Sequence, residues 1–168
     1  MAGPRKAKRN ESARKGARVL IVEARYYDDI ADALLAGAMK AVQEAGGEAD
    51  VISVPGSLEI PIAIAMAIDA APRGRRRYDA AVGLGCVIRG ETIHFEIVSE
   101  QSAAGLMGLA IAERFPIGNG IVTVDTEAQA WARARVEEQD KGGDAVRAAL
   151  ALLGAKQRFA IKQRAGTR

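Results

Sequence analysis

Short runs that are apolar on both faces, alternating with segments of helical period, leave this chain few folds to choose from. Val19-Leu20-Ile21-Val22 is too short for a buried helix and has no polar face, so it reads as an interior strand of a parallel sheet. Asp28 and Asp29 then offer caps for a segment in which Ile30, Leu34, Ala38 and Val42 recur at helical spacing, closed by Gly46 and Gly47. The alternation continues. Val51, Ile52 and Val54 form a second strand stopped by Pro55 and Gly56, and Leu58 to Ala71 a helix that tolerates Pro61 in its first turn. Ala80 to Ile88 is a third strand, followed by a helix from about His94 to Arg114, and Ile121 to Val124 a fourth strand. Thr126 and Gln129 have capping-box spacing for another helix. After Gly142 and Gly143, a last helix places Val146, Ala149, Leu150 and Leu153 on one face.

Such an order requires right-handed crossovers with helices on both faces. The expected architecture is α/β: a three-layer α/β/α sandwich on a four-stranded parallel sheet, flavodoxin-like. The 168 residues, 49% of them hydrophobic, suffice for one core and are tight for two. Aromatics are only 4% while glycines number 18, so the layers should meet through small and aliphatic side chains.

Charge is unevenly placed. The first 17 residues carry +5 and the remainder −2, and that first stretch is polar without period. It reads as a disordered basic arm (residues 1–17), with the domain at 18–160 and a flexible tail at 161–168. The arm and the run Arg73 to Arg77 lack interleaved aromatics, so they predict salt-sensitive attraction to polyanions and no specific nucleic-acid site. One cysteine, Cys86, and one histidine exclude an internal disulfide and a structural zinc site, and no metal or other cofactor is expected. The longest apolar stretch, Ile60 to Ile68, is far shorter than the roughly 18 residues of a membrane span. With no apolar signal core after the charged start, the reading places the protein in the cytoplasm, away from membranes.

In open parallel sheets ligands collect beyond the carboxyl ends of the strands. The first such tip, Ala24 to Asp28, lacks the small polar cluster of a phosphate loop; Tyr26 there can stack on a heteroaromatic ring or pack on the following helix. At the second tip, Ser57 and Glu59 can face a polyhydroxylated ligand, although a carboxylate at a helix start is also favourable through the helix dipole alone. The third, Ile88 to Phe95, is the richest. Gly90-Glu91-Thr92 at a helix entrance presents free amides and a hydroxyl suited to a phosphate, and His94 beside it can act as general acid/base or be a surface histidine. Taken alone, Arg133 and Lys141 read as solvated helix charges that could also grip an anion. Cys86, inside an apolar strand, reads as an inert thiol.

Together these segments are more specific than any one of them. Pro55-Gly56-Ser57-Leu58-Glu59-Ile60-Pro61, then Gly85 to Phe95, then Thr123 to Arg133 and Asp140-Lys141-Gly142 resemble the lumazine synthase family of riboflavin biosynthesis over about residues 18 to 160. The resemblance implies condensation of 5-amino-6-(D-ribitylamino)uracil with 3,4-dihydroxy-2-butanone 4-phosphate to 6,7-dimethyl-8-ribityllumazine, phosphate and water. It also implies site roles. Tyr26 stacks on the uracil, Ser57, Leu58 and Glu59 contact the pyrimidine or ribityl chain, and Val87 and Ile88 line the uracil pocket. Gly90, Glu91 and Thr92 hold the phosphate with Arg133, His94 shuttles protons, and Lys141 borders the site. In the family the segment with Asn119, Arg133 and Lys141 comes from the adjacent subunit of a homopentamer, which in some members builds a 60-subunit shell. Arg135, where shell-formers often have Gly, points to the pentamer. Tyr27, Leu58 and Asn119 depart from the family's usual Asn, Trp and Phe. Those departures motivate an alternative, a flavin- or lumazine-binding protein without turnover on the same scaffold.

Overall fold

The first strand, β1 (Arg18–Ala24), is buried over nearly its whole length and feeds two cores through its pleat. Val19 and Ile21 join one cluster, whereas Leu20, Val22 and Ala24 join another on the opposite face. The computed structural model describes residues 16–70 and 77–165, with side chains through residue 160. After β1 come α1 (Asp28–Glu44), β2 (Glu48–Val54), α2 (Glu59–Asp69), β3 (Ala80–Ile88), α3 (His94–Glu113), β4 (Ile117–Val124), α4 (Glu127–Ala134) and α5 (Lys141–Ala165). The strands pair in parallel in the order β2-β1-β3-β4. One face is covered by α1, α4 and α5, whose Leu34, Ala130 and Val146 reach the first cluster; α2 and α3 cover the other, with Ile60, Ile64 and Leu106 in the second. The expected three-layer α/β fold is therefore present. Among the described residues no helix is long and apolar enough to cross a membrane.

Several boundaries differ from the sequence reading, each for a physical reason. β4 begins at Ile117, four residues earlier than expected, because Gly118 and Gly120 act as contact positions. A Cβ on Gly118 would meet the Ala145 carbonyl oxygen of α5 at 2.0 Å, and one on Gly120 would meet Leu84 at 2.7 Å. Likewise α5 starts at Lys141, with Gly142 and Gly143 inside its first turn. There a Cβ on Gly142 would lie 1.9 Å from the Leu34 carbonyl oxygen of α1. Asp28 and Asp29 sit in the first turn of α1, where they suit the helix dipole, and Tyr27 is the capping residue. Gly16 and Ala17, assigned to the arm, are tied to the domain: the Gly16 N–H donates to the Gly46 carbonyl at 2.8 Å, and Ala17 is buried in the first core. α5 continues to Ala165, past the expected start of the tail. The rest of the arm and most of the Arg73 to Arg77 run lie outside the described residues. Arg77 itself stands over the Tyr78 ring, whose hydroxyl donates to Asp50 and holds that carboxyl below the usual carboxylate range, with help from Arg18 and Arg77.

Candidate active site

The strand tips are tied to each other before any side chain faces outward. The Arg25 N–H, just beyond β1, donates to the Val54 carbonyl at the end of β2 (3.0 Å), and the Arg89 N–H, just beyond β3, donates to the Val124 carbonyl at the end of β4 (2.9 Å). Each arginine then reaches into the helix that follows it. Arg25 bonds Asp28 at 2.9 Å and Asp32 at 2.7 Å on α1. Arg89 bonds Glu96 on α3 and, across the sheet edge, Asp125 at 2.9 Å.

On this frame Tyr26 stands out into solvent, 74% exposed, in edge contact with Tyr27 at 4.9 Å between ring centres. With most of its surface free, its ring is open to stacking. Tyr27 is the packed member of the pair: it rests on the first core, and burial pushes its hydroxyl's pKa up. Ser57 is buried, and its Oγ lies 2.7 Å from where a Cβ on Gly85 would be. The β2 tip thus reaches across β1 to touch β3. Leu58 is half-buried, and Glu59 is exposed as the first residue of α2, its carboxylate close over Gly56.

Val87 and Ile88 are both half-buried at the end of β3, but the pleat separates them. Ile88 packs on the first core, under α1 and α4, whereas Val87 follows Gly83 and Gly85 toward α2 and α3. Only Val87 shares the face of Ser57. Gly90, Glu91, Thr92 and Ile93 are all exposed, and His94, also exposed, opens α3, its N–H donating to Thr92 Oγ1 at a long 3.4 Å. These residues present an open loop and the free amides of a helix start beside the chain's only imidazole. Among the described residues no three His, Cys, Asp or Glu side chains stand together as a metal site. Cys86 is buried in β3, and loss of solvation pushes its pKa up to about 11.

Three expected site residues are elsewhere. Asn119 pairs in register with Gly83, five residues short of the β3 tip, and lines a cavity of about 290 Å³ between α3 and β4 with Ser99, Ser102 and Thr123. Its Oδ1 accepts from the Ile121 N–H at 2.9 Å, which leaves the amide nitrogen as the outward donor. Arg133, on α4, donates to the Gln129 carbonyl at 2.9 Å, and Lys141 pairs with Asp144 at 3.0 Å at the start of α5. Both belong to the helix layer across the sheet from α2 and α3. A single chain therefore presents Tyr26, Ser57, Leu58, Glu59, Val87, Gly90, Glu91, Thr92 and His94 along the carboxyl edge of the sheet, with Arg133 and Lys141 in the helix layer across the sheet and Asn119 on the α3 face but set back from that edge. Sequence reasoning passed over Arg89 and Asp125, because a pair 36 residues apart leaves no periodic signal.

The family described as 6,7-dimethyl-8-ribityllumazine synthase matches residues 16–157. A Rhodopseudomonas palustris protein named 6,7-dimethyl-8-ribityllumazine synthase 1 is 59% identical over 161 residues, covering 95% of this chain and 99% of that protein. Proteins named 6,7-dimethyl-8-ribityllumazine synthase from Nitrobacter hamburgensis (63% identical; 86% of this chain, 89% of that protein) and Methylorubrum extorquens (61%; 84% and 82%) are similar in extent.

Proposed function

The chain belongs to the 6,7-dimethyl-8-ribityllumazine synthase family, and on that premise we propose how its own residues carry the family's reaction. It is an enzyme, a transferase that condenses 5-amino-6-(D-ribitylamino)uracil with 3,4-dihydroxy-2-butanone 4-phosphate. The products are 6,7-dimethyl-8-ribityllumazine, phosphate and water, in the penultimate step of riboflavin biosynthesis. The observation that carries the assignment of roles is the placement of His94 and the Gly90 to Thr92 loop at the carboxyl edge that also presents Tyr26 and Ser57.

Tyr26 stacks on the uracil ring, and Ser57, Leu58, Glu59 and Val87 border the pyrimidine and ribityl chain; Ile88 contributes backbone while its side chain serves the core. Gly90 and Thr92 hold the phosphate through amides and hydroxyl at the start of α3, with Glu91 turned outward to avoid repulsion. The 5-amino group attacks the ketone and water leaves to form an imine, phosphate is eliminated, and the ribitylamino nitrogen closes the ring on the remaining carbonyl with loss of a second water. His94 takes up and returns protons along that path.

Arg133, Lys141 and Asn119 complete the site from the neighbouring copy in a homopentamer. Two features support this. Within one chain Arg133 and Lys141 lie in the helix layer across the sheet from α3 and Asn119 is set back from the strand tips, and the outward side of α2 and α3 is apolar, with Ile62, Met66, Met107 and Ile111 each more than half exposed. Arg133 then pairs with the phosphate, and the Asn119 amide donates to a carbonyl of the substrate in place of an aromatic cover. A single buried cysteine suits a reducing cytoplasm.

The test is an assay with both purified substrates, following product absorbance and phosphate release, with His94→Ala in parallel. Product formation that falls by roughly a hundred- to ten-thousand-fold in the variant is expected from loss of general acid/base catalysis. Unchanged turnover in His94→Ala would remove the imidazole from the mechanism.

A further inference from the structure

Four contacts converge on Arg89, the first residue beyond β3. Its backbone N–H donates to the Val124 carbonyl at 2.9 Å, its Nε to Asp125 Oδ1 at 2.9 Å and its Nη1 to Glu96, while the guanidinium lies 4.1 Å from the centre of the Phe95 ring. Asp125 is itself fixed, its N–H donating to Gln129 Oε1 on α4 at 3.0 Å. Glu96 and Phe95 belong to the first turn of α3, immediately after His94.

Between these anchors the loop from Gly90 to Ile93 is exposed throughout, and Gly90 has open space around it. Its shape is therefore set at its two ends, and Arg89 serves both. We propose that Arg89 is a positioning residue, one that holds the phosphate loop and the His94 turn in place between β4 and α3. The inference rests on the function assigned above. Two carboxylates already occupy the guanidinium, so it is not the group offered to the phosphate. It acts by preorganising the amides that are.

The experiment compares Arg89→Met, Arg89→Lys and Asp125→Asn in the intact assembly, with inorganic phosphate as the binding probe. Arg89→Met should weaken phosphate binding and raise KM for the butanone phosphate by about ten-fold, and lower kcat, because misplacement of the loop by about an ångström is costly. KM for the pyrimidine should stay within about two-fold, since Tyr26 and Ser57 are held by other contacts. Arg89→Lys keeps the charge but cannot bridge both carboxylates, so it should recover only part of the loss. Asp125→Asn should lose part of the same function alone and add little to Arg89→Met. Full recovery with lysine, additive losses, unchanged kinetics, or a parallel rise of both KM values that tracks a fall in Tm would each overturn the proposal. If Arg89→Met does not fold, Asp125→Asn and Glu96→Gln read the same two anchors singly, and normal phosphate binding in both would sink the idea. A wild-type protein that binds phosphate but yields no product would count against the condensation, while the phosphate readout would still judge Arg89.

Discussion

Ser57 and Gly85 are in contact across the sheet: the serine hydroxyl occupies the space that a side chain on Gly85 would fill, 2.7 Å from an added Cβ. Gly85→Ala must displace that hydroxyl or press on Ile60, whose Cδ1 is 3.4 Å away. The variant should lose about 1–3 kcal/mol of stability from overpacking. Its KM for the pyrimidine should rise several-fold while phosphate binding is retained. Calorimetry together with steady-state kinetics would check this; an unchanged pyrimidine KM would mean that Ser57 does not touch substrate.

A shared site has a signature that no single-chain site can imitate. His94→Ala and Arg133→Ala should each be nearly inactive alone. Unfolded together and reassembled at equal amounts, they should regain activity, since about a quarter of interfaces in a randomly mixed ring unite an intact His94 with a neighbour's intact Arg133. Failure of the mixed sample to exceed the separate variants, with assemblies of normal size, would place both residues in one chain's site.

Cys86 supplies a pH prediction. Burial raises its thiol's pKa to about 11, above the 9.0 of an unperturbed thiol, so the folded state binds its proton more tightly than the unfolded one. Its contribution to stability is whole below about pH 9 and lost as the pH rises toward about 11. Replacement by Ala should remove that slope from the alkaline arm of a stability profile. In the native protein at pH 8 the thiol should resist alkylation until denaturant is added.

Gly142→Ala is the severe case among the glycines. The added carbon would lie 1.9 Å from a backbone oxygen of Leu34, which cannot rotate away. A loss of about 3 kcal/mol or more is expected, read as a lowered urea midpoint. Wild-type stability would show that α5 can slide on α1.

Much of the framework was legible because particular residues announce it. The nine-residue run of β3 and the start of α3 at His94 followed from an uninterrupted apolar stretch and the break at Arg89-Gly90, and Thr126 caps α4 through the Gln129 N–H as its spacing implied. Other features were hidden for physical reasons. Gly118 and Gly120 look like breakers in a sequence, yet they mark where another helix approaches too closely for a side chain. The opposed directions of Val87 and Ile88 follow from the pleat once the strand is known to continue to its end. Pairs such as Arg89 with Asp125 depend on the β3-β4 register, which no local pattern encodes. That Arg133 and Lys141 lie in the helix layer across the sheet from α3 is a property of layers, and layers are settled only when the chain is folded.

The glycine seams beneath α5 also bear on the order in which the layers close. Ala145, Val146, Ala149, Leu150 and Leu153 close the larger of the two cores, and they belong to the last of the described helices. A chain in which α5 is undocked would expose the seam at Gly118 and Gly120 and the flank of α1, with nothing to seal them. Docking of α5 is therefore the step that seals this face, and a form of the chain with α5 detached would be the one prone to aggregate.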